Sequence, residues 1–218
     1  MFLKILKFLI GVLAIPFAFA VTIAFCDNFV QIAELSGALK YLMWGISSYA
    51  VLHLLFYKPT YMYVLGHESV HAGMAWLFGG KIKSFKVSDS GGAVTSDKTN
   101  AVIELGPYFV PIYAIIISIV YFVIASSYNI NGSVFVFLIG FALSFHIIST
   151  IEVMKIRQPD IMKSGYVFSI IMIYALNIIV IALMFALLFP SFTVKKFFID
   201  TAVISKNVYL AVIKQLFF

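Results

Sequence analysis

The residues with the clearest chemical potential form the segment Gly66-His67-Glu68-Ser69-Val70-His71, a His-Glu-x-x-His pattern inside an apolar run. On a helix, residues four apart share one face about 6 Å apart along the axis, so His67 and His71 can turn ring nitrogens toward one metal ion. Glu68 would flank that ion, where a carboxylate can accept a proton from a water molecule whose pKa the metal lowers toward about 7. The pattern is typical of zinc hydrolases and predicts Zn²⁺ as the cofactor.

The alternative explanation of these residues is a polar patch that serves only helix packing. Two imidazoles and a carboxylate on one apolar helix are costly unless they contact a partner, a cavity or an ion. Ionisable groups in such a setting are functional candidates by default. The metal site is therefore the favoured interpretation.

The composition indicates what kind of protein must position these residues. Of the 218 residues, 63% are hydrophobic and 11% are charged, and the mean hydropathy of +1.07 lies far outside the range of soluble globular proteins. This predicts an integral, multi-pass membrane protein with the lipid bilayer as its permanent partner. The spans leave no room for a separate soluble domain.

Charge and cysteine content exclude several classes of function. The formal net charge is +6, and the basic residues lie between or beside the apolar runs. That distribution suits anionic lipid headgroups, whereas no basic cluster is dense enough to follow a phosphate backbone, so we expect no nucleic-acid partner. Cys26 is the single cysteine, which excludes an internal disulfide and a thiolate metal cluster.

Six apolar runs predict transmembrane helices. The first ends near Ala24, and its length of about 20 residues favours a retained span, although Ala18-Phe19-Ala20 also resembles a signal-peptide cleavage site. A polar connection is predicted over 27–40. Pro107 and Pro111 should kink the fourth helix. The other five runs cover approximately residues 41–57, 61–78, 100–125, 135–154 and 166–189.

The residue pattern changes between the third and fourth helices. Residues 84–88 alternate polar with apolar, Asp89-Ser90-Gly91-Gly92 is a turn sequence, and residues 93–96 can return as a second strand. This predicts a β-hairpin at the membrane interface or beside a wet cavity, with a plain interfacial loop as the alternative. An exposed strand edge near the metal could pair with an unwound stretch of substrate.

The predicted fold is an all-α membrane protein, a polytopic bundle of about six transmembrane helices with a short membrane-associated β-hairpin. Residues 195–218 mix apolar with charged positions and predict a C-terminal interfacial amphipathic helix rather than a seventh span. No internal repeat stands out.

Two histidines leave a tetrahedral zinc ion short of one protein ligand. The candidates are Glu104, His146, Glu152 and Asp160, and spacing alone does not choose among them. A carboxylate is modestly favoured because its charge offsets that of the metal. Glu104 could instead stabilise a helix N-terminus, and His53, alone on its apolar helix, is expected to be a packed residue.

Four segments in combination resemble one known family. They are the helix Gly-His-Glu-Ser-Val-His-Ala-Gly, the Gly79-Gly80 pair with the hairpin after it, Leu105-Gly106-Pro107-Tyr108-Phe109-Val110-Pro111, and Gln158-Pro159-Asp160-Ile161. With these segments, residues 61–177 resemble the site-2 protease-type intramembrane zinc metallopeptidases.

The resemblance implies a role for each residue of the pattern. His67 and His71 would bind zinc, Glu68 would act as general base and then general acid, and Asp160 would be the third ligand. The family often has Asp-Gly where this chain has Asp160-Ile161, and Asp160 could alternatively cap the sixth helix.

The implied function is hydrolysis of peptide bonds in or near transmembrane segments of a membrane-protein substrate, in a bacterial cytoplasmic membrane. The corresponding domains are N-terminal transmembrane segments over 1–60, a catalytic core over 61–189 and a C-terminal helix over 190–218. The alternative is a non-catalytic or metal-transporting membrane protein that retains a zinc site.

Two sets of basic residues predict opposite orientations in the membrane. Lys4 and Lys7 place the N-terminus in the cytoplasm, which would put the hairpin outside if both early helices cross. A larger set near the hairpin and near Asp160 favours a cytoplasmic site, namely Lys81, Lys83, Lys86, Lys98, Lys155, Arg157 and Lys163. The larger set is preferred, which requires either that the N-terminus lies outside the cytoplasm or that one early segment does not cross the membrane.

Overall fold

The computed structural model describes residues 2–35 and 37–217, so Met1, Ser36 and Phe218 lie outside the described part. Helices account for 76% of the chain, which confirms the prediction of a mainly helical protein. The chain forms two compact units, Met1–Ser36 with Ile161–Phe218, and Gly37–Asp160. All residues of the candidate site belong to the second unit.

The elements follow one another in a simple order along the chain. The helices are α1 Phe2–Leu13, α2 Ile15–Leu35, α3 Leu39–Leu55, α4 Thr60–Leu77, α5 Ala101–Leu105, α6 Ile112–Ala125, α7 Gly132–Met154, α8 Pro159–Ser164, α9 Tyr166–Leu188 and α10 Val194–Phe217, with a 3-10 helix at Gly106–Tyr108 and two strands, β1 Ile82–Ser88 and β2 Gly91–Ser96.

Among the described residues, three helical segments are long and apolar enough to cross a membrane, and this supports a membrane protein. They are Leu3–Val30, Gly132–Met154 and Tyr166–Leu188. The pair Ala101–Tyr108 and Ile112–Ala125 would add a fourth if taken together, although it is bent by 75°. The α3 and α4 segments are helical as predicted but are not among these candidates.

The polar connection predicted over 27–40 is wrong for its first half, because α2 continues to Leu35. The buried amide of Asn28 donates to the Ala24 carbonyl at 2.8 Å and to Asp200 Oδ2 at 2.9 Å. Lys196 Nζ donates to Asn28 Oδ1 at 3.1 Å. Since α10 supplies partners for these polar groups, the helix does not need to end where the sequence turns polar.

The fourth predicted helix is broken rather than merely kinked. Asn100 caps α5 as expected, and its side chain accepts from the backbone amides of Val102 and Ile103 at 2.9 Å each. Pro107 and Pro111 lack the N–H that a continuous helix requires, so the chain passes through a 3-10 turn before α6 begins at Ile112.

In the first unit, α1 and α9 begin side by side. Lys7 Nζ lies 3.5 Å from the Lys163 carbonyl oxygen, and a Cβ on Gly11 would meet the Phe168 backbone at 2.9 Å. Further along, the hydroxyls of Thr22 and Tyr174 lie 2.9 Å apart. The contacts progress in the same direction on both segments, so α1–α2 and α9 run parallel.

The C-terminal helix α10 runs antiparallel to α2. Its first turns contact Asn28 through Lys196 and Asp200, whereas the Tyr209 hydroxyl donates to the Leu13 carbonyl at 2.6 Å. The predicted C-terminal helix is therefore confirmed as a helix. Its packing along α2, from Asn28 to Leu13 within the candidate span Leu3–Val30, does not fit a helix that lies flat in the membrane interface.

In the second unit, glycines let α3 and α7 approach closely. A Cβ on Gly45 would collide with the Phe137 carbonyl, and a Cβ on Gly140 would collide with that of Leu42. The Ser144 hydroxyl donates to the Ile46 carbonyl at 3.1 Å. Small residues at such crossings are typical of helix packing in membranes.

The predicted hairpin is confirmed. β1 pairs antiparallel with β2 in a register that sets Phe85 opposite Val94, with an irregularity between Ile82 and Ser84. Gly79, at φ +71°, ends α4 and turns the chain into β1, a conformation that favours glycine. The hairpin thereby packs back along α4, the helix that carries the His-Glu-x-x-His pattern.

Candidate metal centre

Three potential metal ligands converge in the second unit. One ligand atom from each of His67, His71 and Asp160 lies within 4.8 Å of the others. Asp160 Oδ2 is 3.8 Å from His67 Nε2 and 3.4 Å from His71 Nε2. Zinc bonds of about 2.0–2.2 Å in a tetrahedron put neighbouring ligand atoms about 3.3 Å apart, so this set fits a divalent ion such as Zn²⁺.

Helix geometry positions the two histidines. His67 and His71 are one turn apart on α4, and their rings stand 4.8 Å apart at 77°. Their side chains are 10% and 13% exposed. The His71 Nδ1 lies 2.9 Å from the Ile103 carbonyl oxygen, which leaves Nε2 directed at the centre.

Asp160 lies in the first turn of α8, directly after Pro159. A proline suits this position because the first helical N–H has no partner within the helix. The six-residue helix ends before Gly165, at φ +94°, so Asp160 is not the N-cap of α9. The alternative of a cap for the sixth predicted helix is therefore wrong.

The charge state of Asp160 suits a metal ligand. Burial raises the pKa of its carboxyl, but the hydrogen-bonding contacts with His67 and His71 outweigh burial and hold the pKa below its ordinary value of 3.8. The carboxylate therefore stays ionised at neutral pH.

The other three candidates for the third ligand lie outside this group of ligand atoms. Glu104 is in the first turn of α5 and accepts from the Thr99 hydroxyl at 3.2 Å. Glu152 faces Lys58, with Nζ at 2.6 Å. His146, on α7, lines a small cavity together with His67, but the ligand group contains Asp160 and not His146.

His53 is a packed residue, as the sequence predicted. It is 5% exposed, its Nδ1 lies 3.0 Å from the Tyr49 hydroxyl, and its Nε2 lies 3.1 Å from Glu152 Oε1. This second cluster supplies no atom to the group of candidate ligands, although His53 and Glu152 line a cavity together with Tyr63.

Glu68 directly follows His67 on α4, and its side chain lies beside the hairpin. The residue is 7% exposed, and the Val94 backbone hydrogen-bonds to its carboxylate. A Cβ on Gly92 would stand 2.6 Å from Glu68 Cγ and 2.8 Å from Val64 Cγ1. Glycine at position 92 is therefore needed for the close approach of the hairpin to α4.

Gly92→Ala should push the hairpin away from Glu68 and lower any activity that depends on this carboxylate, while metal content stays at the wild-type level. Overpacking of this kind costs about 1–3 kcal/mol. Gly73→Ala is the control, because a Cβ there meets nothing within 4 Å. Activity and metal content of both variants test the expectation, and equal activity would show that the hairpin does not position Glu68.

Sequence reasoning missed two tyrosines near the ligands. The Tyr108 hydroxyl donates to Asp160 Oδ2 at 3.4 Å, and the Tyr108 ring stands edge-on to His67 at 5.2 Å. Tyr63 lies one turn before His67 on α4. Tyr63 could have been found from its four-residue spacing to His67, whereas the approach of Tyr108 to Asp160 depends on the break after α5.

No protein-family model, curated protein or solved structure significantly matches this chain. What the site can do is therefore argued from its own residues.

Proposed function

We propose that this protein is an intramembrane zinc metalloprotease of the site-2 protease type, which hydrolyses peptide bonds in or near transmembrane segments of membrane proteins. The observation that carries the proposal is the convergence of His67, His71 and Asp160 within 4.8 Å, with Glu68 next to His67 on the same helix. Two imidazoles, a carboxylate and a neighbouring glutamate are the groups that such a hydrolase needs.

Each residue has a role in this proposal. His67, His71 and Asp160 would hold the zinc ion, which would supply Lewis acidity for the activation of water and the polarisation of a carbonyl oxygen. Glu68 accepts the proton of the attacking water and then donates it to the leaving amine as the peptide bond breaks. The Ile103 carbonyl and the Tyr108 hydroxyl hold His71 and Asp160 in place.

The proposed substrate is an extended segment of a membrane protein. Peptide bonds inside a transmembrane helix are shielded by the hydrogen bonds of the helix, so a substrate must unwind before cleavage. The hairpin supports this proposal because its two described strands pair only with each other, which leaves strand edges for an added strand. The catalytic core over 61–189 and its flanking segments stay predictions.

A comparison of cells that carry wild type with cells that carry Glu68→Gln tests the proposed activity. We expect a set of membrane proteins to accumulate uncleaved in the variant, with the wild-type cleavage sites in or beside their transmembrane segments. Mass spectrometry of newly formed protein N-termini in the membrane fraction measures this directly. Identical N-termini in both strains would contradict proteolysis.

Metal transport is the second candidate from the sequence. A transporter needs further ligands along a path through its helices. Within residues 2–35 and 37–217, one group of three histidine, cysteine or acidic residues has metal-binding spacing. Hydrolysis at a single centre is therefore the better supported function.

We further propose that the end of the first unit that carries Lys4, Lys7 and Lys163 faces the cytoplasm of a bacterial cell. From the sequence, Lys4 and Lys7 predicted one orientation and the basic residues near Asp160 predicted the opposite one. In the structure, Lys7 on α1 lies beside Lys163, directly before α9 begins. Both groups therefore support the same orientation under the positive-inside rule. The segments between the first span and Lys163 must then cross an odd number of times, so α3, α4, the bent pair and α7 are not all complete crossings.

Alkaline phosphatase fusions test this orientation, because the enzyme is active only outside the cytoplasm. We expect a fusion after Ser191, beyond α9, to be active, and a fusion after Arg157, before α8, to be inactive. The opposite pattern would place the Lys163 end outside.

A further inference from the structure

We propose that Tyr63 is a positioning residue of the metal centre, which holds the His67 ring in the tautomer and orientation that binds the ion. The inference rests on the proposed metal centre but not on proteolysis. The Tyr63 hydroxyl lies 3.0 Å from His67 Nδ1. Because His67 Nε2 faces Asp160, Nδ1 is left to carry the proton and donate it to the tyrosine oxygen.

The helix fixes this contact. Tyr63 and His67 are four residues apart on α4, with ring centroids at 5.5 Å and an interplanar angle of 51°. Because the Tyr63 oxygen is the acceptor in this bond, the hydroxyl hydrogen of Tyr63 can be donated to another group. Tyr63 also lines a cavity of about 110 Å³ together with the polar side chains of Thr60, Ser149 and Glu152 and with His53, and this cavity has room for a water molecule that could accept the hydroxyl hydrogen.

The two histidine ligands differ in what contacts Nδ1, the ring nitrogen that points away from the metal centre. His71 Nδ1 faces a backbone carbonyl, that of Ile103, which a side-chain substitution does not remove. His67 Nδ1 faces a side-chain hydroxyl, which a single substitution deletes. Tyr63 is therefore the position at which this support of the metal centre can be tested by mutation.

The neighbouring helix α3 contains a matched pair without a metal centre. The Tyr49 hydroxyl lies 3.0 Å from His53 Nδ1, with ring centroids at 5.6 Å and an angle of 47°. The His53 Nε2 also faces a carboxylate, that of Glu152. In this pair the positive charge beside the carboxylate comes from the ammonium of Lys58, 2.6 Å from the same oxygen, and not from a metal ion.

The experiment compares Tyr63→Phe with Tyr49→Phe in the full-length protein in detergent. Zinc affinity is measured by competition with a chromophoric chelator. We expect Tyr63→Phe to bind zinc about 10–100-fold more weakly, as is usual when a ligand histidine loses its outer hydrogen-bond partner. Tyr49→Phe should bind as wild type does, although it loses an equivalent hydrogen bond.

Two further measurements separate positioning from general destabilisation. Cobalt-loaded Tyr63→Phe should show shifted visible absorption bands, because these bands report ligand geometry, whereas those of Tyr49→Phe should superimpose on wild type. Thermal unfolding of the metal-free variants should give similar midpoints. Tyr63→Leu, which also lacks the hydroxyl, takes the place of the phenylalanine variant if that protein does not fold.

Equal zinc affinity in wild type and Tyr63→Phe, or equal weakening in both tyrosine variants, would overturn the inference. Wild-type protein that binds no zinc would overturn the metal centre together with it. A protein that binds zinc with the expected difference, but cleaves nothing, would uphold the role of Tyr63 and refute only the proteolysis.

Discussion

Glu68→Gln should abolish most peptide-bond cleavage while the protein still binds zinc. Glutamine keeps the size of the side chain but cannot accept the proton of the attacking water at neutral pH. General acid–base catalysis typically contributes about 10²–10⁴-fold, so we expect kcat to fall by that factor. A membrane protein that accumulates in Glu68→Gln cells, purified and incubated with each enzyme, provides the assay.

The metal content of the same preparations is the essential control. Glu68 lies outside the group of ligand atoms, so the variant should contain as much zinc as wild type by elemental analysis. Normal cleavage by Glu68→Gln would exclude Glu68 as the base. A parallel loss of zinc and activity would instead assign it a structural role at the centre.

Asp160→Ala should lose both zinc and activity. In the described part of the chain, Asp160 supplies the one carboxylate that forms a ligand group with His67 and His71, and its removal leaves two imidazoles to hold the ion. We expect the loss of affinity to exceed the roughly 10–100-fold that removal of an outer hydrogen-bond partner causes. Chelator competition on the purified variant measures it.

Glu152→Ala is the matched control for Asp160→Ala. It also removes a carboxylate, and spacing in the sequence did not distinguish Glu152 from Asp160 as the third ligand. Its partners are Lys58 and His53, so zinc affinity should be unchanged. Loss of zinc in Glu152→Ala with retention in Asp160→Ala would reverse the assignment.

Local patterns in the sequence predicted much of this fold. The Asn100 cap, the helix with the two histidines and the β-hairpin all depend on residues close together in the chain, where periodicity and turn chemistry are informative. The third-ligand position depends on a contact across some ninety residues, which spacing does not encode, so it was reached only through a family resemblance.

What the sequence did not predict has a common physical cause. The polar residues after Cys26 predicted a loop because their partners, Lys196 and Asp200, lie far along the chain. The proximity of Lys7 to Lys163 was likewise not predicted, because these residues lie more than 150 positions apart. Both features depend on contacts between residues far apart in the chain, which local sequence patterns do not encode.

The central claim is that His67, His71 and Asp160 hold a divalent ion. X-ray absorption spectroscopy of purified, zinc-loaded protein tests it most directly, together with the zinc content of the same sample. We predict about one zinc per chain, with four nitrogen or oxygen neighbours at about 2.0–2.2 Å and the outer-shell scattering of two imidazoles. Protein that does not retain zinc, or a spectrum without imidazole scattering, would contradict the account.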